Sequence, residues 1–165
     1  MKNQCFCTLL FLLVLMTGGL RAQVPAKVLP EFSFMAADGR AFGNADLPKG
    51  KLLLFVLVDP DCDHCQRAVK HMEEQRASFK KTAVCFVSTA SYEKINLFMA
   101  SYAPRLRAQK NVRVLRDADS QFIVRFKPIR FPALFLYSTG KSLLDYEDNE
   151  DTIFRIVRAM ERNAK

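Results

Sequence analysis

The tightest constraint in this chain is an apolar run, Leu52-Leu53-Leu54-Phe55-Val56-Leu57-Val58, followed closely by Cys62-Asp63-His64-Cys65. A short apolar run bounded by turn residues reads as a strand buried on both faces. Asp59-Pro60-Asp61 ends it. After Cys65 the spacing becomes helical, with Ala68, Val69, Met72 and Phe79 on roughly one side. The dithiol therefore falls at a strand-to-helix turn, where unpaired amides and the helix dipole favour an anion. A thiolate is the anion that thiol–disulfide chemistry needs.

The N-terminus reads as an address. Lys2 precedes an apolar core, Leu9 to Met16, and Leu20-Arg21-Ala22 follows a Thr17-Gly18-Gly19 break. That layout is a secretory signal peptide over residues 1–22, with cleavage after Ala22 and a mature domain over 23–165. The apolar core is shorter than the about 20 residues of a membrane span, so no stable span is expected after processing. An uncleaved anchor is the alternative. Localisation is expected to be periplasmic or secreted. Cys5 and Cys7 would leave with the signal, and Cys62, Cys65 and Cys85 remain. Outside the cytosol disulfides form and persist, so three cysteines fit one working pair plus one spare. Loss of Lys2 and Arg21 takes the formal charge from +8 to +6. The excess is spread over several segments and reads as solvated surface. An acidic partner or a membrane surface is the alternative. No nucleic-acid recognition motif is present.

The rest of the chain alternates. Phe32-Ser33-Phe34, Asp38-Gly39 and Phe42 suggest a small N-terminal hairpin. A helix is predicted over 65–79, a buried strand over 83–87, and a helix from a Ser91 cap to Tyr102 with Pro104 near its end. A strand at 112–115, a short helix over 117–126, and strands at 133–137 and 142–146 around Ser138-Thr139-Gly140-Lys141 follow. A last helix starts at Asp151 or Thr152, with Ile153, Ile156, Val157 and Met160 inward. Strand–helix alternation argues for parallel strands covered on both sides, and the closing hairpin must be antiparallel. The predicted fold is α/β, a mixed sheet sandwiched by helices, with an N-terminal hairpin.

Disulfide exchange runs by thiolate attack through a mixed disulfide, so one thiol attacks and one resolves. Cys62 should be the more exposed and Cys65 should lie beneath it. A static disulfide or a pair of core cysteines is the alternative. Zinc wants four ligands, or three and a water. With only His64 and His71 as histidines and no second cysteine pair, no metal site is assigned. No cofactor is expected. A charged His64 would favour the Cys62 thiolate, and Asp61 and Asp63 would oppose it. Opposite charges about 4 Å apart in water interact by roughly 1 kcal/mol, so these effects partly cancel and the helix end decides. Cys85, between Val84 and Phe86, reads as core packing, and His71 as a surface residue.

These marks together resemble the thioredoxin-like superfamily, and more narrowly exported proteins of the TlpA/ResA type. They are Phe32-x-Phe34, Asp38-Gly39, Cys62-x-x-Cys65, Pro132 ahead of a strand and Gly140 in the closing hairpin. The length from Cys65 to Pro132 fits the extra strand and helix of that branch. The resemblance implies a thiol–disulfide oxidoreductase with Cys62 as nucleophile and Cys65 as resolving thiol. It implies a cis-proline at Pro132 that, with Phe131, would form a client groove. Partners would be client proteins with thiols or disulfides, such as secreted proteins or apocytochrome thiols, and a redox partner protein. The chain departs from the pattern at Asp61, where a tryptophan is common, at Val56, where a buried acid is often kept, and at the bulky Phe131. The competing classes are a non-catalytic peptide-binding module, a copper-handling protein, and a thiol peroxidase. The last lacks its usual threonine, since the loop reads Val58-Asp59-Pro60-Asp61-Cys62.

Overall fold

The computed structural model describes residues 23–163, so the expected signal segment 1–22 lies outside the described residues. A mixed seven-stranded sheet forms the frame, in the order β2-β1-β5-β4-β3-β6-β7. The strands are β1 (Ser33–Met35), β2 (Ala41–Gly43), β3 (Leu53–Leu57), β4 (Ala83–Ser88), β5 (Val112–Arg116), β6 (Ala133–Tyr137) and β7 (Leu143–Glu147). The helices are α1 (Asp63–Glu74), α2 (Tyr92–Tyr102), α3 (Pro104–Arg107), α4 (Gln121–Phe126) and α5 (Ile153–Asn163). Strands β3, β4 and β5 run parallel, and β6 and β7 return antiparallel. No helix among the described residues is long and apolar enough to cross a membrane.

The apolar runs become central strands because both faces of the sheet are covered. Every residue of β3 and of β6 is buried. Alternation divides them between two cores. Leu54, Val56, Val84, Phe86, Leu134 and Leu136 face one side, under residues of α1, α2, α3 and α5. Leu53, Phe55, Leu57, Cys85, Phe135 and Tyr137 face the other, with Phe32, Phe34, Phe122 and Phe126. The second core is largely aromatic, and the Phe122 and Phe126 rings stack with centroids 4.0 Å apart.

Element ends differ from the sequence reading for identifiable reasons. Helix α1 begins at Asp63, because Cys62 is extended and takes the cap position, and it stops at Glu74. Residues 75–80 wind on through i-to-i+3 bonds such as Ser78 N–H to Gln75 O, and these tighter turns still bury Phe79. Helix α4 starts at Gln121 because the Asp117 carboxylate caps it from a distance, accepting from the Gln121 and Phe122 amides at 2.9 and 2.7 Å. Pro104 begins the short helix α3, which the sequence reading lacked, in the first-turn position where a missing amide costs nothing. The last helix is preceded by a 3₁₀ turn over Glu150–Thr152. The Ser91 cap forms as expected, its side chain accepting from the Lys94 amide. In the closing hairpin Lys141 takes the left-handed conformation.

Candidate active site

Strand β3 delivers the chain to the site. Val58 still pairs with Val87, and Asp59-Pro60-Asp61 then turns toward α1. The turn is internally tied. The Asp61 amide donates to Asp59 Oδ1 at 3.0 Å, and the Cys62 amide to Asp59 O at 3.1 Å. Gln66 Nε2 donates to Pro60 O at 3.1 Å, and Gln66 in turn accepts from the Tyr102 hydroxyl at 2.9 Å. Helix α2 thereby braces the loop that carries the dithiol.

The two cysteines occupy different environments, as the spacing anticipates. Cys62 is half-buried at the cap of α1, its carbonyl accepting from the Gln66 amide at 3.0 Å while its side chain makes no capping bond. Cys65 is fully buried in the same core as Val56 and Val58. Burial pushes its thiol well above the usual range, and the adjacent Cys62 sulfur adds to this. A bond from the Asp59 amide to Cys65 Sγ, at 3.4 Å, opposes the rise in part. With Cys65 buried and held protonated behind it, Cys62 is the sulfur of the pair that solvent and other molecules can reach.

Phe131 and Pro132 lie beside this turn. The Phe131-Pro132 bond is cis, as the resemblance implied. Leu57 pairs with Ala133, so the residues before β6 stand next to the chain leaving β3 for Cys62. Pro132 is buried, and the half-buried Phe131 packs against the edges of both cores.

His64 is exposed and turned toward a group with no signature in the sequence. Its Nδ1 lies 2.5 Å from Oε1 of Glu150, in the turn before α5. Arg67, one helical turn on, donates to the same oxygen from Nη2 at 2.9 Å. Partial burial of Glu150 is the largest single influence and works against ionisation. The hydrogen bonds from Arg67 and His64 together outweigh it and bring the carboxyl down to about 2. Glu150 thus engages the imidazole whose charge was expected to act on Cys62. Asp61, expected to oppose the thiolate, is paired with Lys94 at 2.8 Å. Arg67 was within reach of helical spacing, but Glu150 and Lys94 lie too far along the chain for spacing to find.

Cys85 sits on the opposite side of the sheet from Cys65, in the aromatic core. Desolvation pushes its thiol up to about 12, so it packs as an apolar residue. His71 is at the surface, 3.3 Å from Glu74. Among the described residues no group of three or more His, Cys, Asp or Glu side chains is placed to hold a metal ion.

A sheet of this order, with a dithiol at the end of its central strand and a cis-proline beside it, defines a thioredoxin-like fold. The AhpC/TSA family profile matches residues 25–141, and the chain belongs to that family. Solved structures agree on the fold. A secreted disulfide oxidoreductase of Mycobacterium tuberculosis homologous to Escherichia coli DsbE is 19% identical, with a TM-score of 0.62 over 78% of this chain and 95% of that one. A SCO1/SenC family lipoprotein of Bacillus anthracis is 18% identical, with a TM-score of 0.66 over 89% and 100%. A peroxiredoxin-like protein of Aquifex aeolicus is 16% identical, with a TM-score of 0.61 over 82% and 86%. No curated protein matches the chain.

Proposed function

We propose that this protein is an exported thiol–disulfide oxidoreductase of the TlpA/DsbE type, acting on secreted proteins or apocytochrome thiols. The observation that carries the reading is the unequal pair: a half-exposed Cys62 capping α1 above a fully buried Cys65. In this reading the Cys62 thiolate attacks a client disulfide, and the displaced client sulfur leaves with its electron pair. Cys65 then attacks Cys62, the second client sulfur leaves, and the protein holds the disulfide. Phe131 and Pro132 wall the client groove, and a partner dithiol returns the pair to its reduced state.

A peroxidase is the second reading, favoured by the likeness in fold to the Aquifex protein. One assay separates them. Dithiothreitol-reduced protein is mixed with insulin or with hydrogen peroxide, and the loss of each oxidant is followed. The disulfide reading expects insulin reduction that is abolished in Cys62→Ser. Rapid peroxide consumption with no insulin reduction would replace it by the peroxidase reading.

A further inference from the structure

A dithiol that closes on itself must take a proton from its second thiol, and here that thiol is deeply placed. Cys65 is fully buried, and the strand beneath it presents Val56 and Val58, which offer nothing to receive a proton. The carboxylates around the site are mostly committed. Glu73, two turns along α1, accepts the Leu106 amide at 2.7 Å and pairs with Arg105 at 3.3 Å. Asp61 is held by Lys94, and Glu150 by His64 and Arg67. Asp59 differs. Its own amide touches Cys65 Sγ at 3.4 Å. Its exposed carboxylate is anchored in the same tight turn through Oδ1 to the Asp61 amide at 3.0 Å. After burial, its negative charge helps hold the Cys65 thiol protonated, as a thiolate at Cys62 also would.

From this placement we propose that Asp59 accepts the Cys65 proton when the mixed disulfide is resolved. The inference rests on the disulfide-exchange reading and adds a proton acceptor to it. In the step, the Cys65 S–H bond breaks and the proton passes to the Asp59 carboxylate, directly or through one water. The freed electron pair on the Cys65 sulfur forms the bond to Cys62 Sγ. The bond from Cys62 to the client sulfur breaks, and the client leaves as a thiolate. It then takes up a proton from Asp59 or from solvent, which restores the carboxylate. The client has gained two electrons and the protein dithiol has lost them. A carboxylate is a weaker base than a thiolate, so the proton moves as the new S–S bond forms and not before.

The test is a single turnover of the full chain with an aromatic disulfide whose thiolate is coloured. Capture by Cys62 releases one thiolate, and resolution by Cys65 releases the second. The variant Asp59→Asn keeps the Oδ1 acceptor for the Asp61 amide and removes the base together with its charge, whose loss by itself would ease ionisation of Cys65 and so works against any slowing. It should slow the second release by about 10²-fold, the lower end of general-base effects. The remaining rate should climb with pH as hydroxide takes over, and added formate should restore part of it. The control Asp61→Asn removes the same charge two residues away and should resolve at close to the wild-type rate. Wild-type rate and pH profile in Asp59→Asn would overturn the proposal. So would equal slowing in both variants, or slowing without formate rescue. If the wild-type protein releases no second thiolate, disulfide exchange itself fails and this role falls with it.

Discussion

Phe126 offers a severe test of the two-sided core. Its ring is fully buried and stacks on Phe122 at 4.0 Å with an interplanar angle of 7°. Phe55 lies at 5.1 Å and Phe135 at 5.7 Å, and Phe32, Phe34 and Tyr137 are within 6.3 Å. Truncation to alanine removes the apolar burial and leaves a cavity walled by rigid rings, a change that costs about 3–5 kcal/mol in close-packed cores. Aromatic pairs add about 0.5–1.5 kcal/mol beyond area, which places Phe126→Ala in the upper half of that range. Domains of this size have about 5–15 kcal/mol in total, so the variant should stay folded but lose much of its margin. At roughly 2–4 °C per kcal/mol, the melting temperature should drop by about 8–20 °C. Urea unfolding followed by far-ultraviolet circular dichroism reads the change, with the slope unaltered and the midpoint lowered. Because Cys65 belongs to the other core, the folded variant should exchange disulfides at the wild-type rate. A loss below about 1 kcal/mol, the size of a peripheral substitution, would refute the packing account. So would a slower exchange rate per folded molecule.

Four further outcomes are expected. In the native reduced protein iodoacetamide should modify Cys62 first and reach Cys65 and Cys85 only on unfolding, as read by peptide mass; early labelling of Cys85 would contradict its burial. The Cys85 thiol is raised from 9.0 to about 12, so the folded state keeps a proton that the unfolded chain loses. Stability from this source is therefore complete below pH 9 and declines as pH rises from there toward 12, which chemical denaturation across that window would measure. The dithiol potential should fall between about −270 and −120 mV. Glu150→Gln should make it more oxidising by roughly 20 mV, the equivalent of one water-screened charge contact, because His64 and Arg67 lose their counter-ion. A shift to a more reducing value would show that the cluster does not act on Cys62 through charge.

Much of this architecture was legible because the central strands are continuous apolar runs and the helices between them carry a clear inward stripe. The placement of Cys62 and Cys65 followed from the strand-to-helix turn, and Pro132 from its position before β6. What escaped was set by contacts distant in sequence. Glu150 meets His64 across 86 positions, and Lys94 meets Asp61 across 33, beyond the reach of any local period. Their effect is to pair the charges that the sequence reading left free. The start of α4 was misplaced because Asp117 caps it from outside the helix. Residues 75–79 differ from the expected helix because Phe79 keeps helical spacing while the backbone has already tightened into turns.

Trapping decides whether Cys62 attacks and Cys65 resolves. Cys65→Ser and Cys62→Ser variants are expressed in the native host, thiols are blocked with acid and alkylation, and covalent adducts are resolved without reductant and identified by mass. Mixed disulfides between Cys62 and client proteins are expected in Cys65→Ser, and none in Cys62→Ser. Adducts in Cys62→Ser alone would reverse the assigned roles, and adducts in neither would contradict disulfide exchange as the activity.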